Sequence, residues 1–178
     1  MESEEYPWYR IVGADDPLQQ GDIFFNCPVV LLPDPAFFLQ VYQGRKLDAS
    51  ANTAIVFADL IVLTHSCDIP KRDLDRVLVC PHRNAVEVAP RREERANIRK
   101  GRVLAYHLIE ACELEGYEFE QRVIDFRLVT AVPKIFPEEL SQQLGHRVRL
   151  LPPYREKMAQ AFAFYFGRIG LPKDPRDI

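Results

Sequence analysis

The sequence is poor in glycine and lacks the short motifs that identify several common enzyme classes. It has 8 glycines in 178 residues, and none of them belongs to a glycine-rich loop of the kind that cradles phosphate groups. It contains neither Gly-x-Ser-x-Gly nor His-Glu-x-x-His. The chain therefore carries no signature of a P-loop nucleotidase, an α/β-hydrolase or a zinc peptidase.

The sequence also lacks a hydrophobic run long enough to span a bilayer. The longest apolar run, residues 53–64, is interrupted by Asp59 and is shorter than the roughly 20 residues of a membrane helix. The first residues are acidic and no apolar segment follows them, so we expect no signal peptide. We predict a soluble, cytoplasmic protein with no membrane partner and with reduced thiols at Cys27, Cys67, Cys80 and Cys112.

Positive charge does not exceed negative charge overall but is concentrated locally. The chain has 23 basic and 26 acidic residues and a net charge of −3, which predicts no general attraction for polyanions. Runs of charge are usually solvated surface, and we expect this for residues 146–149. For residues 91–102 a nucleic-acid-binding surface is the alternative. The basic side chains of that run are Arg91, Arg92, Arg95, Arg99, Lys100 and Arg102.

The fold prediction rests on prolines and on strand-forming runs. The 14 prolines favour short strands and turns, because proline is excluded from helix interiors and central strands. Strand patterns occur at 21–32, 53–64, 76–80, 103–109 and 117–129. From Tyr154 to Ile169, apolar residues three or four apart predict an amphipathic helix that packs on the sheet and ends at Gly170.

These patterns predict one mainly β domain over residues 1–178. Its expected parts are an N-terminal arm at 1–16, a β-barrel-like body at 17–151 and a C-terminal helix at 152–170. The run at 53–64 is almost continuously apolar, so we expect it to be buried on both faces.

Polar and ionisable residues gather at the ends of the two most apolar strands. Residues 64–68, Thr-His-Ser-Cys-Asp, follow the first strand, and residues 80–83, Cys-Pro-His-Arg, end the second. If the two ends are neighbours, these side chains meet, since residues two apart in a strand share a face. Loops held by rigid strands often carry function, so both segments are candidate sites.

Three interpretations of these segments remain open. His65, Cys67, Cys80 and His82 offer the ligand types of a tetrahedral zinc site, although the spacing departs from the usual Cys-x-x-Cys. Alternatively, the Cys67 thiolate is a catalytic nucleophile activated by His65 and Asp68. In the third interpretation the cysteines are small buried hydrophobes and Asp68 accepts backbone N–H bonds. We predict no cofactor, with zinc as the alternative.

Several segments resemble a group of uncharacterised bacterial and phage proteins. Residues 20–24 match its Gly-Asp-Ile-Phe opening, residues 61–68 match a strand that ends in Ser/Thr-x-x-Cys-Asp, and residues 149–156 and 166–172 are similar to its C-terminal part. The order of the opening, that strand and residues 77–81 is also distantly similar to the PemK/MazF toxins. That resemblance implies a small SH3-like barrel, a toxin–antitoxin or phage-defence role, and RNA or DNA as the ligand.

The chain departs from the toxins at two places. It has Asp59-Leu60 where they carry Arg-Pro, and it has His82-Arg83 where they carry a threonine shortly after the later proline. In an endoribonuclease-like enzyme of this kind, His65 and His82 would act as acid and base and Arg83 would stabilise phosphate charge. The alternative function is a non-catalytic module of a mobile-element or defence system that binds another protein, with or without structural zinc.

Overall fold

Eight strands form one antiparallel sheet in the computed structural model, which describes residues 6–31, 39–40, 42–45 and 54–167. The strands are β1 Tyr9–Gly13, β2 Asp22–Leu31, β3 Ala54–Val62, β4 Arg76–Asn84, β5 Tyr106–Ile109, β6 Arg122–Asp125, β7 Thr130–Pro133 and β8 His146–Leu150. Their order is β1-β8-β2-β3-β4-β6-β5, and β7 pairs with the first half of β4.

Within residues 54–167, four α-helices pack against the sheet. They are α1 Ala85–Val88, α2 Arg92–Arg99, α3 Ile135–Leu144 and α4 Tyr154–Phe166, and a 3-10 helix spans Phe126–Leu128. The mainly β prediction is confirmed. Within the described residues, however, β1 and β5 are the two ends of the strand order and do not pair with each other, so the sheet does not close into a barrel. None of the described helices is long and apolar enough to cross a membrane.

Alternating side chains give the sheet a core on each face. Ile61 and Cys80 belong to one core, where Met158 of α4 is fully buried. Val62 and Val79 belong to the other core, against which α3 packs. This docking confirms the predicted C-terminal helix from Tyr154 onward, while its expected end at residues 168–170 lies outside the described residues.

A buried ion cluster joins β2 to β8. Asp22, Arg147 and Arg149 are all almost completely buried. The Nε of Arg147 lies 2.8 Å from Oδ2 of Asp22, and Arg149 pairs with the other carboxylate oxygen. The arginines also donate to the main-chain carbonyls of Gly13, Asp16 and Pro17. The expectation that 146–149 is solvated is therefore wrong for its two arginines, because the loop after β1 covers them.

Three local expectations differ from the structure. Residues 9–13, expected in an arm, form β1 and pair with β8. The strand expected over 117–129 is limited to β6, because Asp125 caps the 3-10 helix that follows it. The strand β4 continues beyond Pro81, which lies between the part paired with β7 and the part paired with β6, where a missing N–H is tolerated.

Candidate functional site

A large cavity lies where β3 and β4 separate. Only residues 59–62 of β3 pair with β4. Residues 54–58 continue alongside β2, while the end of β4 pairs with β6. The gap is a cleft of about 800 Å³, named the β3–β4 cleft hereafter. It is lined by Asn26, Val29, Val30, Val56, Phe57, Ala58, Asp59, Pro81, His82, Arg83, Asn84, Glu87, Arg122, Leu128 and Thr130.

One end of the cleft is apolar and exposed. Phe57 is 65% exposed and Val30 is 61% exposed, although both belong to regular strands. Ile55, also on β3, is exposed to the same extent as Val30. The expectation that residues 53–64 are buried on both faces is therefore wrong for the first half of β3. Exposed apolar residues that cluster in this way mark interaction surfaces more often than chance.

The other end of the cleft contains an ion pair. Nη1 of Arg122 lies 2.5 Å from Oδ2 of Asp59, and both side chains are about three-quarters buried. Oδ1 of Asp59 accepts a hydrogen bond of 2.8 Å from the N–H of Asn26. Asn26 has a φ of 52°, a left-handed conformation that asparagine tolerates, and it lies at the bulge of β2. The bulge thus aims this N–H at the carboxylate.

His82 is the most unusual side chain of the cleft. It is 1% exposed, and neither ring nitrogen has a hydrogen-bond partner among the described residues. Phe25 contacts the ring edge-on with centroids 6.2 Å apart, and Phe119 lies at 6.4 Å. Burial and then the charge of Arg122 lower the pKa of His82 to about 3, while Asp59 opposes this shift. The imidazole is therefore neutral at physiological pH.

The rim of the cleft is formed by the end of β4 and by α1. Arg83 is exposed, and its guanidinium makes no hydrogen bond within the described part of the chain. Oδ1 of Asn84 accepts from the N–H of Val86 at 2.8 Å and caps α1. Glu87 lies in the first turn of α1, where its charge is favourable. With Asp59 and Arg122 included, the cleft has two positive and two negative side chains.

The Thr64–Asp68 turn lies elsewhere, at the closed end of the β3–β4 hairpin. Oγ1 of Thr64 accepts from the N–H of Leu78 at 2.7 Å, and Nδ1 of His65 accepts from the N–H of Cys67 at 3.3 Å. Cys67 is exposed. Asp68 pairs with Lys71 at 2.5 Å, and this hydrogen bond lowers the pKa of Asp68. The structure thus brings His65, Cys67 and Asp68 into one turn, which borders a second cavity of about 710 Å³.

The two halves of the sequence-predicted site are not brought together. In the antiparallel hairpin His82 is paired with Asp59, whereas His65 follows the other end of β3. Cys80 pairs with Ile61, between the position of His82 and the turn that contains His65. Cys80 is fully buried, and its thiol donates to the carbonyl of Asp125 at 3.0 Å. No group of three or more His, Cys, Asp and Glu side chains in the described ranges is arranged to hold a metal ion. The four residues considered for zinc therefore do not converge.

The basic run at residues 91–102 forms α2 and the turn after it. Three of its side chains have structural contacts. Arg95 donates to the carbonyls of Ala89 and Pro90, Arg99 pairs with Glu110 at 2.6 Å, and Arg102 bonds to Asn97. The remaining cations of the run, Arg91, Arg92 and Lys100, are exposed and pair with no carboxylate of the described chain.

Sequence reasoning missed the ion pair of the cleft. Asp59 is a charged residue inside an apolar strand, which signals a need for a partner. Arg122 gives no comparable signal, since arginines on alternating strands are usually exposed. Only the register of β4 with β3 and with β6 brings Asp59 and Arg122 together.

Comparison of the chain with protein-family models, curated proteins and solved structures found no match.

Proposed function

We propose that the β3–β4 cleft binds an extended segment of a partner protein, which adds as a strand to the edge of β3. The observation that carries the proposal is the edge itself. Residues 54–58 pair with β2 on one side, and no described strand pairs with their other side, which borders the cleft. An unpaired strand edge offers main-chain N–H and C=O groups to an added strand.

The side chains of the cleft suit such a segment. Val56 and Phe57 provide apolar surface next to the edge, and Leu128 lines the same cavity. In strand addition, main-chain hydrogen bonds supply affinity and pockets for alternate side chains supply specificity. The equal numbers of positive and negative side chains favour a polypeptide over a polyanion in this cleft.

Hydrogen exchange and peptide display test the proposal. In the free protein we expect fast exchange of the edge-facing amides of residues 54–58. A peptide selected from a phage-displayed random library should slow the exchange of alternate amides there, because an antiparallel strand bonds every second residue. Slow exchange in the free protein would mean that the edge is already paired, and the proposal would then be wrong.

A matched pair of variants locates the binding surface. Phe57→Lys places a charge at the edge and should weaken peptide binding about tenfold or more, since exposed aromatic anchors often dominate such interfaces. Leu104→Lys also replaces an exposed apolar side chain by lysine, but at a residue that does not line the cleft, and should leave affinity unchanged. Equal effects of the two variants would contradict the location.

Nucleic-acid binding by the α2 run is the second candidate function. It is favoured by the unpaired, exposed cations Arg91, Arg92 and Lys100, and it is the function that a PemK/MazF-like, SH3-like barrel of a toxin or defence system would have. The same protein is mixed with a single-stranded RNA of mixed sequence at low and high salt. This function would be favoured if binding depends on salt and is abolished by the double variant Arg92→Gln, Lys100→Gln. The control variant Arg10→Gln on β1 should bind as the unmodified protein does. Absence of binding at low salt would exclude it.

A further inference from the structure

The imidazole of His82 has hydrogen-bonding capacity that the described chain does not use. Buried polar atoms in folded proteins nearly always have a partner. Here both ring nitrogens are buried and unpaired, and the residue lines the β3–β4 cleft. The rings packed on it, Phe25 and Phe119, carry no donor or acceptor, so the cleft is the direction from which a hydrogen-bonding partner can come.

The charged groups beside the ring are already engaged with each other. On the β3 side, the carboxylate of Asp59 is held by Arg122 and by the N–H of Asn26. On the β6 side, the guanidinium of Arg122 lies over Phe119, with Cζ 5.3 Å from the ring centroid, and over Phe25 at 5.9 Å. These two groups are the charges that act on the imidazole from the elements packed around it.

The ring favours an uncharged partner. Desolvation by its aromatic surroundings keeps the imidazole neutral, so it presents one N–H donor and one acceptor. A carboxylate entering here would be desolvated close to Asp59, and an ammonium would be desolvated close to Arg122. A carboxamide or a hydroxyl group supplies a donor and an acceptor without adding charge.

We propose that His82 is a specificity-determining residue of the β3–β4 cleft, whose imidazole hydrogen-bonds a carboxamide or hydroxyl side chain of the bound segment. This inference rests on the proposed peptide-binding function. The Asp59–Arg122 pair is partly exposed whereas the ring is almost completely buried, so a segment that reaches His82 also contacts the ion pair.

The test couples variants of the protein to variants of a library-selected peptide. Each Asn, Gln, Ser and Thr of that peptide is replaced by alanine in turn. With the unmodified protein, one replacement should weaken binding about tenfold, the effect of one lost hydrogen bond. With His82→Phe, the same replacement should change affinity less than about twofold, because the hydrogen bond is already absent. The phenyl ring fits the aromatic site that Phe25 and Phe119 form.

A second histidine provides the control. His107 is also largely buried, with its pKa lowered to about 4, but it lines a different cavity near Trp8 and Lys157. His107→Phe should keep the tenfold effect. In the unmodified protein labelled with ¹⁵N-histidine, the ring signals of His82 should move when the peptide binds, and those of His107 should stay. This measurement needs no variant, so it decides the question even if His82→Phe does not fold.

The outcomes separate the two levels of the argument. If no peptide protects the β3 edge, the proposed function is wrong and the role of His82 is wrong with it. If a peptide protects the edge but the His82 ring signals do not move, only the inference is overturned. The same conclusion follows if His82→Phe leaves the results of the alanine scan unchanged.

Discussion

At the scale of single residues, burial separates the four cysteines into two kinds. Cys67 is exposed in the turn after β3, whereas Cys27, Cys80 and Cys112 are buried. Burial raises the pKa of Cys27 to about 11 and that of Cys80 to about 12. The thiolate is the reactive form of cysteine, so the raised pKa values disfavour reaction at Cys27 and Cys80, and exposure favours reaction at Cys67.

We predict that one thiol of the folded protein reacts with a thiol reagent and that the other three react only on unfolding. Mass spectrometry after labelling at neutral pH should place the modification on Cys67, and Cys67→Ser should abolish native labelling. A strong chelator should not change the rate, because the residues considered for zinc do not converge. Faster labelling after chelation would show a metal at the turn and would restore the zinc interpretation.

At the scale of elements, the ion cluster on β2 and β8 fixes the middle of the sheet. β8 lies between β1 and β2, and two of its five residues are arginines that share the carboxylate of Asp22. Buried guanidinium groups are tolerated only when they are paired and fully hydrogen-bonded. The loop carbonyls that these arginines also bind attach residues 13–17 to the same cluster.

Asp22→Asn should therefore destabilise the fold strongly. It leaves two buried positive charges without a counter-charge, and breaking a buried pair in this way costs about 3–5 kcal/mol. Urea unfolding measures the change in the free energy of unfolding. Asp68→Asn removes the carboxylate of a solvent-exposed pair with Lys71 and should leave the urea midpoint almost unchanged. Similar losses in the two variants would refute the structural role of the cluster.

Element positions follow well from the sequence where the signal is local. The strand patterns at 21–32 and 53–64 coincide with β2 and β3, and the spacing from Tyr154 onward coincides with α4. Whether a polar residue is buried or exposed follows less well from the sequence. Arg147 and Arg149 have the local pattern of exposed strand residues, and only the pairing of β8 with β2 reveals the buried carboxylate that they share.

At the scale of the whole molecule, buried histidines make stability depend on pH. The pKa of His82 is lowered to about 3, mainly by burial, against an ordinary value of 6.5. Below about pH 6.5 the unfolded chain therefore binds a proton that the folded chain excludes. The contribution of His82 to stability is complete above its pKa in the unfolded chain, about 6.5, and decreases as the pH falls toward its pKa in the folded protein, about 3.

We predict that the free energy of unfolding decreases between about pH 7 and 5, before most carboxylates protonate. His82 should contribute about 2 kcal/mol of this decrease, from about 1.4 kcal/mol per pH unit below the unfolded pKa. His82→Phe should reduce the decrease by that amount in urea unfolding at several pH values. Identical pH profiles for the protein and its variant would mean that His82 is not buried in a neutral form.

The sequence by itself determines the mainly β character, the positions of β2 and β3, and the helix that starts at Tyr154. These properties depend on spacing and residue type over short stretches, which the printed chain contains. The sequence also identifies the Thr64–Asp68 turn and His82 as unusual places for polar groups.

Only the tertiary structure decides which of these groups meet. The antiparallel hairpin sends residues 64–68 and His82 to opposite ends, and the divergence of β4 from β3 beyond Asp59 opens the cleft beside Arg122. Strand pairing is a long-range choice made by the whole sheet, and a shift of one residue would turn every side chain to the other face. For that reason the candidate site follows from register rather than from any local motif.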